Sequence, residues 1–308
     1  MIEIQITDDF DLQKIADSGQ CFRWQPIEND GYRIIHGDSC LCIWKAEKYS
    51  GLDVDADDSD IASQKHPRKE NEKKAIQVGT PDDNLCIYKM DCTKEEYENI
   101  WSVYLDMGED YRSIREKIDV NSDPFLYEAA EHERGIRILK QDSWEALISF
   151  IISQNRNIPA IKASIEKLAE RAGKKKTDSR GEVYYTFPTP EAIADMTEEA
   201  LAQCKLGYRD KYVRRAAEAV CNGEIDLEKI GIGTDDEVLN NLTGLYGVGK
   251  KVASCMLLFG LHHLDAFPVD VWIKRVLETE YSNGYPFDDY SPYNGVYQQY
   301  MFAYYRNR

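Results

Sequence analysis

No two of the eight cysteines stand in C-x-x-C spacing, and none follows Cys255. The chain therefore lacks the ligand pattern of a structural zinc site and the C-terminal cysteines of an iron–sulfur cluster. Scattered at 21, 40, 42, 86, 92, 204, 221 and 255, the thiols read as packed, reduced side chains of a cytosolic type of protein. Long apolar runs are missing too. "ALISFII" and "MLLFGL" fall far short of the roughly 20 residues that cross a bilayer, so no membrane partner is expected. The opening "MIEIQITDDFD" is acidic where a secretory leader is basic and then apolar, which points to an intracellular location. Positive charge is also short. Lys and Arg number 38 against 55 Asp and Glu, a net −17, which counts against a polyanionic partner. The deficit is uneven, with −12 in residues 1–120 and −5 in residues 121–308, and a phosphate backbone responds to local basic surface more than to the sum.

What is present is enough for two domains: 308 residues, 43% of them hydrophobic. The first part alternates in short bursts. "YRIIHG", "CLCIWK" and "NLCIYKM" read as strands separated by Gly, Asn and Asp. Residues 53–80 mix both charges without apolar periodicity and read as a mobile insertion. From about residue 119 the spacing becomes helical. "DSWEALISFIISQNRN" opens at an Asp142–Ser143 cap, "IPAIKASIEKLAERAG" stops at Gly173, and "PTPEAIADMTEEALAQCKLG" stops at Gly207. The predicted class is α+β: an N-terminal antiparallel β-sheet domain with helices over 1–118, then an all-helical domain over 119–308.

The most informative stretch is "LTGLYGVGKKVASCMLLFGLHHLDAFPVDVW", residues 242–272. Gly244 to Lys251 meets most of the phosphate-loop pattern G-x-x-x-x-G-K, but the Ser or Thr that should bind magnesium is Lys251. The preceding "DDEVLNNLT" is a polar helix rather than a buried strand. A helix–hairpin–helix fits better. Leu245 to Gly249 makes the turn, with Gly247 and Gly249 supplying its backbone angles, and the next helix points free amides at a DNA phosphate. Such a hairpin alone marks a DNA-binding module, not an enzyme. On that helix Lys251 shares a face with Cys255 and Leu258, whereas Lys250 shares one with Ser254. Lys251 is thus expected in a dry pocket, where an amine loses its proton more readily and becomes a nucleophile, and Lys250 on the wet, phosphate-facing side. Pro268 forbids helix before Asp270, which is expected to cap "VWIKRVLETE".

Lys251 and Asp270, in G-V-G-x-K-V-A-x-C followed by P-V-D, resemble the helix–hairpin–helix DNA glycosylases with a Gly/Pro-rich loop and a catalytic aspartate. More closely, the chain is similar to the 8-oxoguanine DNA glycosylase/lyases. "SGQCFRW" (18–24), "WEALISFIISQNRNI" (144–158), "LGYRDKYV" (206–213) and "GVYQQYMF" (295–302) carry that resemblance over nearly everything except 53–80. It implies a monomeric base excision repair enzyme acting on double-stranded DNA that contains 8-oxoguanine, cytoplasmic in a prokaryote and nuclear in a eukaryote. A related glycosylase for another damaged base, or a non-catalytic hairpin DNA-binding protein, are the alternatives.

The implied chemistry begins with a base taken out of the stack. Lys251 attacks the sugar C1′, displaces the base and forms a Schiff base, and β-elimination nicks the strand. Asp270 stabilises the positive charge developing on the sugar. No redox cofactor or catalytic metal is required. The resemblance also assigns the base-binding residues. The carbonyl of Gly19 accepts from N7–H, which 8-oxoguanine has and guanine lacks. Gln298 binds the Watson–Crick edge, and Phe302 and Cys255 sandwich the ring. Asn155 fills the gap in the duplex, with Asn157 beside it on the DNA. Tyr208 wedges beside the orphaned base and Arg209 reads the opposite cytosine. The hairpin carbonyls of Thr243, Leu245 and Val248 are matched to a monovalent cation site. Two positions depart from the pattern: Ala160 stands where a second cytosine-reading arginine is usual, and Trp272 where many members have a phosphate-contacting histidine.

Overall fold

The computed structural model describes residues 1–46 and 85–308, so the expected 53–80 insertion lies outside the described residues. A five-stranded antiparallel sheet opens the chain, in the order β1-β5-β4-β3-β2. Its strands are β1 (Ile2–Ile6), β2 (Trp24–Ile27), β3 (Gly31–His36), β4 (Ser39–Lys45) and β5 (Cys86–Met90). The three strands read from sequence are β3, β4 and β5. β1 was legible as well, since "IEIQI" alternates apolar and polar residues and its burial alternates with them.

Two apolar clusters underlie the molecule. One packs the sheet around Trp24, Ile34, Leu41, Ile43 and Trp101; the other, centred on the helix Ser143–Ser153, also takes in Ile114 and Ile118. Polar side chains lock the two together. Arg137, fully buried, donates to the carbonyls of Leu105, Asp106, Glu109 and Asp9 and to the Asp8 carboxylate, and lies 4.3 Å from the Tyr111 ring centroid. Gln20, also buried, donates to the Arg137 carbonyl at 2.8 Å and accepts from the Leu139 amide at 2.8 Å. That pair of bonds fixes the "SGQCF" turn, and with it Gly19.

The helix expectations hold at most ends. Asp142 caps Ser143–Ser153 by accepting from the Glu145 amide at 2.8 Å, and Ile158–Ala172 stops at Gly173. Two expectations need correction. The span 188–207 is not one helix ending at Gly207 but two, Pro190–Ala194 and Glu198–Gln203, because Thr189 and Thr197 each cap a new start. The span 119–308, expected to be all-helical, is also not wholly so. Lys175–Thr177 and Val183–Tyr185 form a small antiparallel hairpin. Each strand is three residues long and the first is Lys-rich, so neither carries a readable period. The hairpin is held from outside: Arg33 of β3 donates to the carbonyls of Glu182 and Val183 and pairs with Asp178 at 2.9 Å.

Candidate active site

Four segments meet a fifth, the 18–22 turn, around one cavity of about 1100 Å³. They are the end of the Ser143–Ser153 helix with the turn after it, the Lys251–Phe259 face of the hairpin helix, the Pro268–Lys274 segment, and the C-terminal helix Asn294–Asn307. The hairpin is built as expected, from a helix Asp235–Thr243, a turn, and a helix Lys250–Cys255 continued by a wider turn, Met256–Gly260. Gly247 has φ +87°, and a Cβ there would stand 2.3 Å from the Tyr212 ring, so both conformation and space require glycine. Gly249 is the N-cap; no side chain caps the helix, and the place of a Cβ on Gly249 is open space. Leu245 offers its carbonyl to the Val248 amide at 3.0 Å, within the turn expected to hold a cation. Among the described residues no group of three or more His, Cys, Asp or Glu is placed to hold a metal ion.

Lys251 and Asp270 both line the cavity. Asp270 is the N-cap of the helix Val271–Thr279, its Oδ1 accepting from the amides of Trp272 and Ile273 at 2.9 Å each. Its second oxygen has no hydrogen bond among the described residues. Cys255 lies between the two charges in effect. Burial pushes its thiol up to about 12, Lys251 works against that rise and Asp270 adds to it, so the sulfur is neutral at ordinary pH. One expectation is corrected here. Lys251 is solvent-exposed, not dry, and makes no hydrogen bond or ion pair among the described residues. Shared face with Cys255 put it at the cavity, but at the mouth, where desolvation awaits whatever enters.

The proposed base-binding residues converge on the same cavity. Gly19, with φ +81°, faces Phe302; a Cβ at Gly19 would lie 3.4 Å from the ring edge. The Arg306 guanidinium sits 5.1 Å from the Phe302 centroid and donates to the Asp17 carbonyl at 2.7 Å. Gln298 is buried, donating to the Pro268 carbonyl at 2.9 Å and accepting from Gln299 at 3.0 Å. Asn155 and Asn157 also line the cavity. Asn155 is exposed at φ +51°, a conformation Asn tolerates. Asn157 caps Ile158–Ala172 through the Ala160 amide at 3.0 Å.

Other expected DNA contacts form a surface beside the cavity rather than its lining. Tyr208 is 54% exposed and starts a ladder of rings, meeting Tyr212 at 5.8 Å, which meets Tyr246 of the hairpin at 5.2 Å. Lys250 is exposed. Arg209 differs from its neighbours. Only 6% exposed, it donates to the carbonyls of Gln154, Asn155 and Leu206, so in this arrangement it braces the Asn155 turn instead of presenting a free fork. Trp272 lines the cavity, its ring 5.1 Å from the Arg275 guanidinium.

Sequence reasoning missed several lining residues, among them Arg156, Lys274, Gln299 and Arg306. Lys274 and Arg306 each lie four residues beyond a residue already singled out, Asp270 and Phe302, so helical period could have found them. They change the electrostatics. Arg156, Lys251, Lys274 and Arg306 face a single lining carboxylate, Asp270. A chain of net −17 thus carries a locally cationic cleft.

Comparison with known proteins places the chain in a family. Residues 1–147 match the N-terminal domain of 8-oxoguanine DNA glycosylase, and residues 148–284 match the HhH-GPD superfamily of base excision DNA repair proteins. An N-glycosylase/DNA lyase of Saccharomyces cerevisiae is 36% identical over 162 residues, 48% of this chain and 42% of the relative. A probable N-glycosylase/DNA lyase of Methanothermobacter thermautotrophicus is 30% identical over 204 residues, 60% of this chain and 62% of the relative. The matches thus span less than two thirds of those relatives' lengths. The Clostridium acetobutylicum 8-oxoguanine glycosylase/lyase, solved with double-stranded DNA containing cytosine opposite 8-oxoguanine, superposes with a TM-score of 0.78 at 30% identity, over 100% of this chain and 98% of that one. MBOgg1, solved with a low-affinity DNA ligand, gives a TM-score of 0.80 at 34% identity, over 99% and 95% of the two chains. The chain belongs to the HhH-GPD superfamily of base excision DNA repair proteins and, within it, to the 8-oxoguanine DNA glycosylases.

Proposed function

We propose that this protein is a bifunctional DNA glycosylase and abasic-site lyase that removes 8-oxoguanine from double-stranded DNA. One observation carries the reading: a single cationic cleft gathers Lys251, Asp270, Gly19, Gln298 and Phe302 from four separate parts of the chain. A flipped nucleotide entering it covers Lys251 and removes the water from its ammonium, which favours the neutral, nucleophilic amine. Nζ then bonds to C1′ as the bond from C1′ to the base breaks and the base leaves. Ring opening gives the Schiff base; loss of a C2′ proton breaks the C3′–O bond and nicks the strand, and hydrolysis returns the lysine. The Asp270 oxygen not used by its helix offsets the positive charge that builds on the sugar.

In the same reading the Gly19 carbonyl accepts from N7–H of the lesion, and Phe302 and Cys255 hold the ring. Asn155, Asn157, Tyr208 and Arg209 attend the duplex around the gap, and Lys250 with the Gly247–Gly249 turn holds the backbone. The protein works as a monomer, without a redox cofactor, in the cytoplasm of a prokaryote or the nucleus of a eukaryote. Among the described residues no helix is long and apolar enough to cross a membrane. Borohydride added during incubation with 8-oxoguanine duplex tests the chemistry: a covalent protein–DNA adduct is expected, and an active preparation that yields none overturns the Schiff-base route.

A further inference from the structure

Gln299 has a hydrogen-bonding capacity that the roles assigned above leave unused. The Pro268 carbonyl can only accept, so Gln298 must turn its NH₂ toward it, which it does at 2.9 Å. The Gln298 oxygen then faces Gln299 and can likewise only accept, so Gln299 gives it an N–H at 3.0 Å. That relay leaves the Gln299 Oε1 at its free end. The residue is 3% exposed, its oxygen has no partner, and its side chain lines the cleft beside Gln298. A buried carbonyl oxygen without a donor is unfavourable, and a ligand that supplies the donor is favoured by the same amount.

We propose that Gln299 is a second base-reading residue, whose carbonyl oxygen accepts from the exocyclic amine of a guanine-type base. The inference rests on the cleft receiving a flipped 8-oxoguanine. The Watson–Crick edge of that base presents two adjacent donors, N1–H and the 2-amino group. Gln298 Oε1 has a lone pair left for the first, and Gln299 Oε1 has both for the second. At the same two positions an adenine-type edge has a lone pair at N1 and only a C–H at C2. Its one donor, the 6-amino group, lies on the other side of N1, so the two carbonyl oxygens placed for N1–H and the 2-amino group go unmatched. The fixed order of the two amides therefore selects guanine-derived lesions over adenine-derived ones.

The test compares 8-oxoguanine with 8-oxohypoxanthine, which differs only in having hydrogen for the 2-amino group. Single-turnover excision of both from the same duplex is measured for the wild-type protein and for Gln299→Met, a near-isosteric change. Rates are referred to the active fraction counted by borohydride trapping on an abasic duplex. The wild type is expected to favour 8-oxoguanine by roughly tenfold or more, and Gln299→Met to bring the two rates within about twofold of each other. If Gln299 merely positions Gln298, the variant loses both substrates equally, because both carry N1–H, and the unchanged ratio overturns the proposal. A wild-type protein indifferent to the 2-amino group overturns it as well. Failure of the wild type to release 8-oxoguanine while it still traps on abasic DNA removes the assigned base, and this proposal with it, before any variant is compared.

Discussion

Asp270 and Ile273 are joined by a 2.9 Å hydrogen bond from amide to carboxylate, so the side chain proposed for catalysis is also the cap of its helix. Charge and cap can be separated. Asn caps about as well as Asp, so Asp270→Asn is expected to change unfolding stability by less than ~0.5 kcal/mol while excision falls on the order of 100-fold. Asp270→Ala loses the charge and the cap, and costs about 1 kcal/mol besides. Thermal unfolding beside single-turnover rates checks both. Equal activity in Asp270→Asn and wild type would leave Asp270 only its capping role.

The adjacent lysines make a second pair of opposite expectations. Lys251 lines the cleft and Lys250 does not, although both are exposed. Lys251→Gln is expected to abolish borohydride trapping on 8-oxoguanine and on abasic duplex alike. Lys250→Gln should keep trapping, weaken DNA binding and reduce the salt slope of log K by about one. The opposite pattern would mean that the nucleophile is Lys250.

How legible the site was follows from where its residues sit. Lys251, Asp270, Gln298 and Phe302 lie in short local patterns, and helix period plus resemblance named them without any structure. Gln299 and Arg156 were not legible, because their importance comes from partners far along the chain: Pro268 through Gln298 for one, Lys205 and Ser164 for the other. The same division holds in the fold. Strands β3 to β5 show as apolar bursts, while the hairpin of Lys175–Thr177 and Val183–Tyr185 exists because Arg33 and Asp38, some 140 residues earlier, hold it. The inward turn of Arg209 was not legible for a related reason: only tertiary packing brings its guanidinium onto the Gln154 carbonyl, 55 residues earlier in the chain.

Stability should fall at low pH through a junction whose residues are not part of the cleft lining. Asp106 is 1% exposed. Burial alone would raise its carboxyl, but hydrogen bonds from His262 at 3.1 Å, Lys140 at 2.7 Å and Tyr111 at 2.9 Å win and hold it at about 2. A carboxylate depressed in the folded state contributes its full stability above its unfolded value near 3.8 and loses it as pH falls through about 2. From those two values the contribution is about 2 kcal/mol. Asp106→Asn is expected to flatten the drop in chemical-denaturation midpoint between pH 5 and pH 2. A variant with the wild-type slope would place the acid sensitivity elsewhere.

The opposite base is the sharpest place to look for behaviour peculiar to this chain. Two arginines are the expected readers of the cytosine across from the lesion. Here one position is Ala160, whose amide does no more than complete the Asn157 cap. The other, Arg209, spends donors on the Gln154, Asn155 and Leu206 carbonyls, and freeing it would unbrace the Asn155 turn. Each good bidentate contact to the correct base is worth about 1–3 kcal/mol of discrimination, so a missing arginine corresponds to roughly tenfold or more in preference. Excision of 8-oxoguanine is therefore expected to vary only a few-fold among cytosine, thymine, adenine and guanine partners. Ala160→Arg should steepen the preference for cytosine by about tenfold, since the position lies in the first turn of a helix whose neighbouring residues Ile158, Pro159 and Ile161 line the cleft. Single-turnover rates on four duplexes differing only in the opposite base decide it: a steep cytosine preference in the wild type would show that Arg209 leaves its carbonyls and reads the base alone.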